Sequence, residues 1–269
     1  MAASVPRADG IKSLQKAIDI LGCFSVVDRS LSLADISERT GLPKTTTHRM
    51  LATLRDVGFI EQDKGRDRYR LGIRLFEFGT VVFANMDLHR EAGPFVDRLT
   101  KLSGEGVHLC VFSGTRVVTV DHRDADGRSA NSVITITSSP AYCTGVGKAT
   151  LAYQDEATID RVIRDGLLPY TRNTITDPET LKRELAATRR RGYAIDNAEH
   201  QVGLRCIAAP IRNHAGNVFA AISISGPAVR VTEDRVAPMS ELVVDIADRI
   251  SLQLGYRPSE GDSSGPGVG

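Results

Sequence analysis

Residues 31–63 read LSLADISERTGLPKTTTHRMLATLRDVGFIEQD, and this stretch decides the N-terminal fold. Ser32 suits a helix N-cap, and Asp35 stands three residues on, the spacing of a capping box. Leu33 and Ile36 supply an apolar face, and Gly41 ends the helix where a left-handed backbone costs little. Pro43 fits the first turn of a following helix, since its missing N–H would be unpaired there anyway. In that second helix Thr47, Met50, Leu51, Leu54 and Val57 share one face. Thr45, Arg49, Ala52 and Asp56 point the other way, with Lys44 and His48 on the flank. Two helices joined by a tight turn at Gly41–Leu42 form a helix-turn-helix pattern. The outward side of the second has the small, polar and basic residues that entry into a DNA groove requires.

Working outward, residues 11–26 place Leu14, Ala17, Ile18, Leu21 and Phe24 at helical spacing. After Gly58, the segments FIEQD and RYRL flank a polar tip, a hairpin with Lys64, Arg66, Arg68 and Arg70 on or beside it. A β wing so placed can meet the phosphate backbone or the minor groove. A generic three-helix packing unit fits residues 11–57 almost as well, and the basic hairpin is what favours the DNA reading. Residues 11–72 carry 11 Lys and Arg against 8 Asp and Glu, a mild excess of +3 in a chain whose net charge is +1. Residues 73–87 are helical in period but apolar around much of the circumference. That pattern suits a linker helix packed on both domains or on a partner chain.

The remaining sequence predicts a second domain. An amphipathic helix over Glu91–Ser103 turns Phe95, Val96, Leu99 and Leu102 inward. Strands follow at 107–112, 117–121, 133–136, 206–211 and 218–225, and helices at 157–163, from Asp177–Pro178 to Gly192, and from Thr232 to Leu254. Helices gathered with a mainly antiparallel sheet give an α+β domain. Arg189, Arg190 and Arg191 suit the C-terminal end of their helix electrostatically. The chain has 269 residues, 41% hydrophobic and 25% charged, which is comfortable for two domains of ordinary globular type. No apolar run approaches the roughly 18 residues of a membrane span. Residues 1–10 read as a disordered leader and 256–269 as a disordered tail. Cys23, Cys110, Cys143 and Cys206 are far apart, so zinc and redox motifs are unsupported, and reduced thiols in the cytoplasm are expected.

Candidate chemistry is sparse. Gly145-Val146-Gly147-Lys148 lacks P-loop spacing but could present backbone N–H groups to a small anion. Ser223 and Ser225 alternate in a strand, so both hydroxyls face one way. No Ser/His/Asp order, paired carboxylates or metal-ligand spacing stands out. Cys206 as an enzymatic nucleophile would need a base that no motif supplies. Besides a DNA-binding regulator, two readings stay open: an enzyme whose N-terminal helices serve only assembly, and a sensor that signals through a protein partner.

The chain resembles the IclR family of bacterial transcriptional regulators. The motifs are SLQKAIDIL at 13–21, residues 31–63 as quoted above, YRLGIRLFEFG at 69–79, GVGKATLA at 145–152, TITDPETLKREL at 174–185, RRGYAIDNAEHQVGLRCIAAPI from 190, and AAISISGPAVRVTEDRV from 220. The resemblance implies a winged helix-turn-helix over 11–72, a linker helix over 73–87 and a GAF-like α+β effector-binding domain over 88–255. It implies a transcriptional regulator rather than an enzyme, without cofactor or metal, acting as a homodimer or dimer of dimers on a palindromic double-stranded operator and modulated by a small carboxylate. Lys44, Thr45, Thr46, His48, Arg49, Arg66 and Arg68 would contact DNA. Gly145, Val146, Asp196, Cys206, Ser223 and Ser225 would contact the effector. Asn197 stands where relatives often carry a second acid.

Overall fold

The computed structural model describes residues 11–25, 27–63, 67–84, 87–126 and 138–257. The chain divides into two compact units between Met86 and Asp87.

The first unit runs α1 (Lys12–Leu21), β1 (Leu31–Ser32), α2 (Leu33–Thr40), α3 (Lys44–Asp56), β2 (Ile60–Asp63), β3 (Arg68–Leu71) and α4 (Arg74–Ala84). Its three strands form an antiparallel sheet in the order β1-β3-β2. The capping box is present: the Asp35 N–H donates to Ser32 Oγ at 3.2 Å, and the Ser32 N–H donates to Asp35 Oδ2 at 2.9 Å. Gly41 adopts φ +67°, the left-handed turn into α3. The core is Ile20, Leu31, Ile36, Leu51, Leu54, Ile60 and Tyr69, each large side chain contributing about 1.5–3 kcal/mol by burial.

Three details differ from the sequence expectation. The first helix ends at Leu21, and Leu14 and Ile18 are exposed. The stripe that packs is Ala17, Ile20, Leu21 and Phe24, so α1 has two apolar stripes and the core takes one. Val57 is exposed because α3 ends at Asp56. Pro43 is the N-cap rather than a first-turn residue. On α4 and just before it, Ile73, Phe76, Phe78, Val81 and Val82 are exposed.

The second unit contains α5 (Asp87–Ser103), β4 (Gly106–Ser113), β5 (Arg116–Arg123), β6 (Ser138–Pro140), α6 (Gly145–Leu151), α7 (Glu156–Arg164), α8 (Pro178–Arg191), β7 (Ala194–Asn197), β8 (Leu204–Arg212), β9 (Val218–Pro227) and α9 (Glu233–Gln253). The six strands make one antiparallel sheet in the order β6-β5-β4-β9-β8-β7. Helices α5 and α9 pack on one face and α6 on the other. The α5/α9 face is aliphatic, with Val107, Leu109, Ile207, Ile211, Ile222 and Ile224 fully buried. Leu102, expected inward, is exposed: the buried side of α5 is Leu88, Ala92, Val96 and Leu99. The strand expected at 133–136 lies outside the described residues.

The Gly145–Lys148 segment is the start of buried helix α6, capped by Thr144, whose Oγ1 accepts from the Gly147 N–H at 3.2 Å. A Cβ on Gly147 would stand 2.3 Å from the Ala141 carbonyl oxygen, so only glycine fits there. Asp177 caps α8, and Gly192 ends it at φ +82°. Among the described residues no helix is long and apolar enough to cross a membrane.

Candidate functional site

In the first unit, Lys44, Thr45, His48 and Arg49 are exposed along the outer side of α3, and Thr46 is half-buried. The inner side is anchored by Thr47, fully buried, whose hydroxyl donates to the Pro43 carbonyl at 3.2 Å. The first turn of α3 has no acidic residue and no side-chain cap. Its amides thus suit an anion such as a backbone phosphate.

The wing is tied to this helix by bonds the sequence did not reveal. Arg55 Nη1 donates to Gln62 Oε1 at 2.8 Å, and Gln62 Nε2 donates to Asp67 Oδ1 at 3.1 Å. Asp67 itself takes φ +46°. Arg70 pairs with Glu61 across the hairpin at 2.7 Å. Arg68 turns back toward the start of α2. Its guanidinium donates to the Ser30 carbonyl at 2.6 Å and lies 3.8 Å from Asp35. Arg68 is therefore committed to the fold as well as half-exposed. Lys64 and Arg66 lie outside the described residues.

In the second unit, strand register assembles the other candidates. Asp196 on β7 pairs with Cys206 on β8, which pairs with Ser225 on β9. One row along, Ala208 pairs with Ser223. Alternation puts Asp196, Cys206, Ser223 and Ser225 on the face that α6 covers. Cys206 Sγ is 3.1 Å from Ser225 Oγ. Gly145 lies directly over this row: a Cβ there would stand 3.2 Å from Cys206 Cβ. Val146 packs with Cys110, Ala149, Ala208 and Ala221. The six residues thus converge from one helix and three strands.

The electrostatics suit binding better than catalysis. Burial pushes the Cys206 thiol up to about 12, with the Asp196 charge adding to it. Such a thiol is an inert side chain at neutral pH. Burial also raises the Asp196 carboxyl to about 7, although Oδ1 accepts the Glu199 N–H at 2.7 Å. A protonated Asp196 can donate a hydrogen bond to a bound carboxylate instead of repelling it. Lys148 of α6, 1% exposed, pairs with Glu199 beside this row. Sequence reasoning missed that buried pair, since its partners are separated by 51 positions. Among the described residues no cluster of His, Cys, Asp and Glu could hold a metal ion.

A winged helix-turn-helix in one unit and a buried polar face beside a capped helix in the other define a DNA-binding regulator with a sensor domain. Comparison with known proteins agrees. Residues 13–64 match the IclR helix-turn-helix domain, and residues 80–252 match the bacterial transcriptional regulator IclR C-terminal domain. The HTH-type transcriptional repressor AllR of Salmonella paratyphi A is 37% identical over 250 residues, 93% of this chain and 92% of the relative. The crystal structure of Thermotoga maritima IclR is 32% identical with a TM-score of 0.62, covering 91% of this chain and 100% of that one. An IclR homologue from Microbacterium hydrocarbonoxydans, complexed with 4-hydroxybenzoate, is 27% identical with a TM-score of 0.70, covering 90% and 98%. The chain belongs to the IclR family of bacterial transcriptional regulators. It is a DNA-binding regulator with a C-terminal effector-binding domain, and not an enzyme.

Proposed function

We propose that the protein is a cytoplasmic repressor that releases its operator when a small organic acid binds against β7, β8 and β9. The observation that carries this reading is the side-by-side register of Asp196, Cys206 and Ser225, with Ser223 one row along and Gly145 of α6 directly above. Asp196 in its protonated form and the two serine hydroxyls supply donors to a carboxylate, while Val146 closes the site with apolar surface. The named repressor among the relatives and the 4-hydroxybenzoate complex of another support repression and an acid effector. All four cysteines are free, which fits a reducing compartment.

Lys44, Thr45, Thr46, His48 and Arg49 read the operator from α3, and the wing residues Arg66 and Arg68 serve the phosphate backbone. For Arg68 that service includes holding the wing to Ser30. The exposed apolar residues at and on α1 (Ile11 before it, Leu14 and Ile18 on it) and of α4 (Phe76, Phe78, Val81, Val82) support assembly into a homodimer, and hence a palindromic operator. A dimer of dimers remains part of the family expectation.

The test is a gel-shift assay on the DNA upstream of the protein's own gene and of adjacent genes, with and without a panel of small carboxylic acids. A salt-dependent, sequence-specific shift that one acid reverses is the expected result. A specific shift that no acid alters, with no acid raising the melting temperature, would sink the effector assignment. No shift at all would favour signalling through a protein partner.

A further inference from the structure

We infer that His108 and His122 form the far wall of the proposed effector pocket and select acids that carry a second hydrogen-bonding group opposite the carboxylate. This rests on the pocket reading above and adds residues to it.

The sheet register places them. His108 on β4 pairs with Ser223 on β9, and His122 on β5 pairs with His108. Directly opposed residues of antiparallel strands share a face. His108 and His122 therefore continue the row Ala208–Ser223 on the α6 side. Their neighbours confirm the orientation: Leu109 and Asp121 point to the other face, where Asp121 lies 3.7 Å from His89 of α5.

The two imidazoles stack, with centroids 4.3 Å apart and planes 15° from parallel. Ser225 pairs with Gly106, which has no side chain. His122 Nε2 lies 4.0 Å from where a Gly106 Cβ would stand. The imidazole pair thus lies on the same face as Ser225, with no Gly106 side chain between them.

Burial, with the charge of His122 adding to it, holds His108 near pKa 4, so it is neutral at physiological pH. A neutral imidazole offers one donor and one acceptor. Polar rings placed on such a face cost free energy unless something polar meets them. Ser225 and His108 are diagonal neighbours, about 7–8 Å apart in an antiparallel sheet. An acid bound by its carboxylate near Cys206 and Ser225 then reaches the imidazoles with a hydroxyl or second carboxylate at its far end. His122 Nε2 already lies 3.5 Å from Asp124 Oδ1, so the far-end group is met chiefly by His108, which an acid without that group leaves unmatched.

The experiment uses the full chain and matched acids: benzoate against 4-hydroxybenzoate, and butyrate against succinate. Affinities are read by calorimetry. The wild type is expected to prefer the member with the far-end group by about tenfold. In the His108→Leu/His122→Leu double variant the preference is expected to fall below about twofold, with the simple acid still bound. His108→Gln, which keeps a donor and an acceptor, is expected to retain part of it, and operator binding by each variant verifies folding. Equal affinities in the wild type, or an undiminished preference in the double variant, overturn the inference while the acid pocket stands. Failure of every acid to bind the wild type removes the pocket reading and this inference together.

Discussion

The guanidinium of Arg68 lies 2.6 Å from the carbonyl oxygen of Ser30, 38 residues earlier in the chain. It also approaches Asp35, the residue that closes the capping box of α2. The wing strand and the first helix of the helix-turn-helix are thereby held by one side chain. Arg68→Ala should lower the stability of the first unit by about 1 kcal/mol, the usual net worth of such a bond. Operator affinity should fall evenly across sequences, and Arg68→Lys should restore part of the loss. Thermal melts and gel shifts at several salt concentrations check this. An unchanged melt combined with a shallower salt dependence would make Arg68 a simple phosphate ligand instead.

Among the described residues Arg49 makes no such side-chain bond; it is exposed on the outer side of α3. Arg49→Ala should leave the melting temperature within experimental scatter and weaken specific operator binding by about 1–3 kcal/mol, the range for a lost base contact. Competition gel shifts with operators altered one base pair at a time should show relaxed discrimination at one position per half-site. Full retention of affinity and discrimination would remove Arg49 from the readout.

Asp196 gives the effector domain a defined pH dependence. Burial raises its carboxyl from an ordinary 3.8 to about 7. Between those values the native state keeps a proton that the unfolded chain has released. Its contribution to stability is therefore fully present below pH 4 and is lost as pH rises toward 7, at about 1.4 kcal/mol per unit where only the native state is protonated. The Asp196→Asn variant cannot lose that proton. Denaturant titrations from pH 5 to pH 8 should show the variant gaining stability relative to the wild type as pH rises. A constant difference across that range would refute the raised carboxyl.

Much of this was legible in the sequence because the signals are local. The capping box at Ser32–Asp35, the left-handed Gly41 and Gly192, and the Asp177 cap are each set within four residues. The alternation of Ser223 and Ser225 likewise needs only the period of a strand. What stayed hidden depends on distant partners. The short edge strand β7 (Ala194–Asn197) exists through its pairing with β8. The Lys148–Glu199 pair and the His108–His122 stack need the completed sheet before their members meet. On α1, two apolar stripes were both possible, and only packing against Leu31, Ile36 and Leu51 chose Ile20 over Leu14 and Ile18.

Two glycines of one motif should separate folding from sensing. A Cβ on Gly147 would meet the Ala141 carbonyl oxygen at 2.3 Å, Ala141 Cα at 2.5 Å and Thr144 Oγ1 at 2.5 Å. Two of these are backbone atoms and the third caps α6, so none can yield cheaply. Gly147→Ala should destabilise the second unit by more than about 3 kcal/mol, as overpacking combined with a lost cap does. A Cβ on Gly145 would instead stand 3.2 Å from Cys206 Cβ and 3.4 Å from Ala208 Cβ, both side-chain atoms. A shift of a few tenths of an ångström accommodates it, at a cost of about 1 kcal/mol. That shift moves α6 away from the Cys206–Ser225 row, where the carboxylate is proposed to bind. Gly145→Ala should therefore fold, bind operator as the wild type does, and respond to its acid effector at least about tenfold more weakly. Calorimetry on the variant and gel shifts with added acid decide the matter. A Gly145→Ala protein with full effector response would place the carboxylate elsewhere on the sheet.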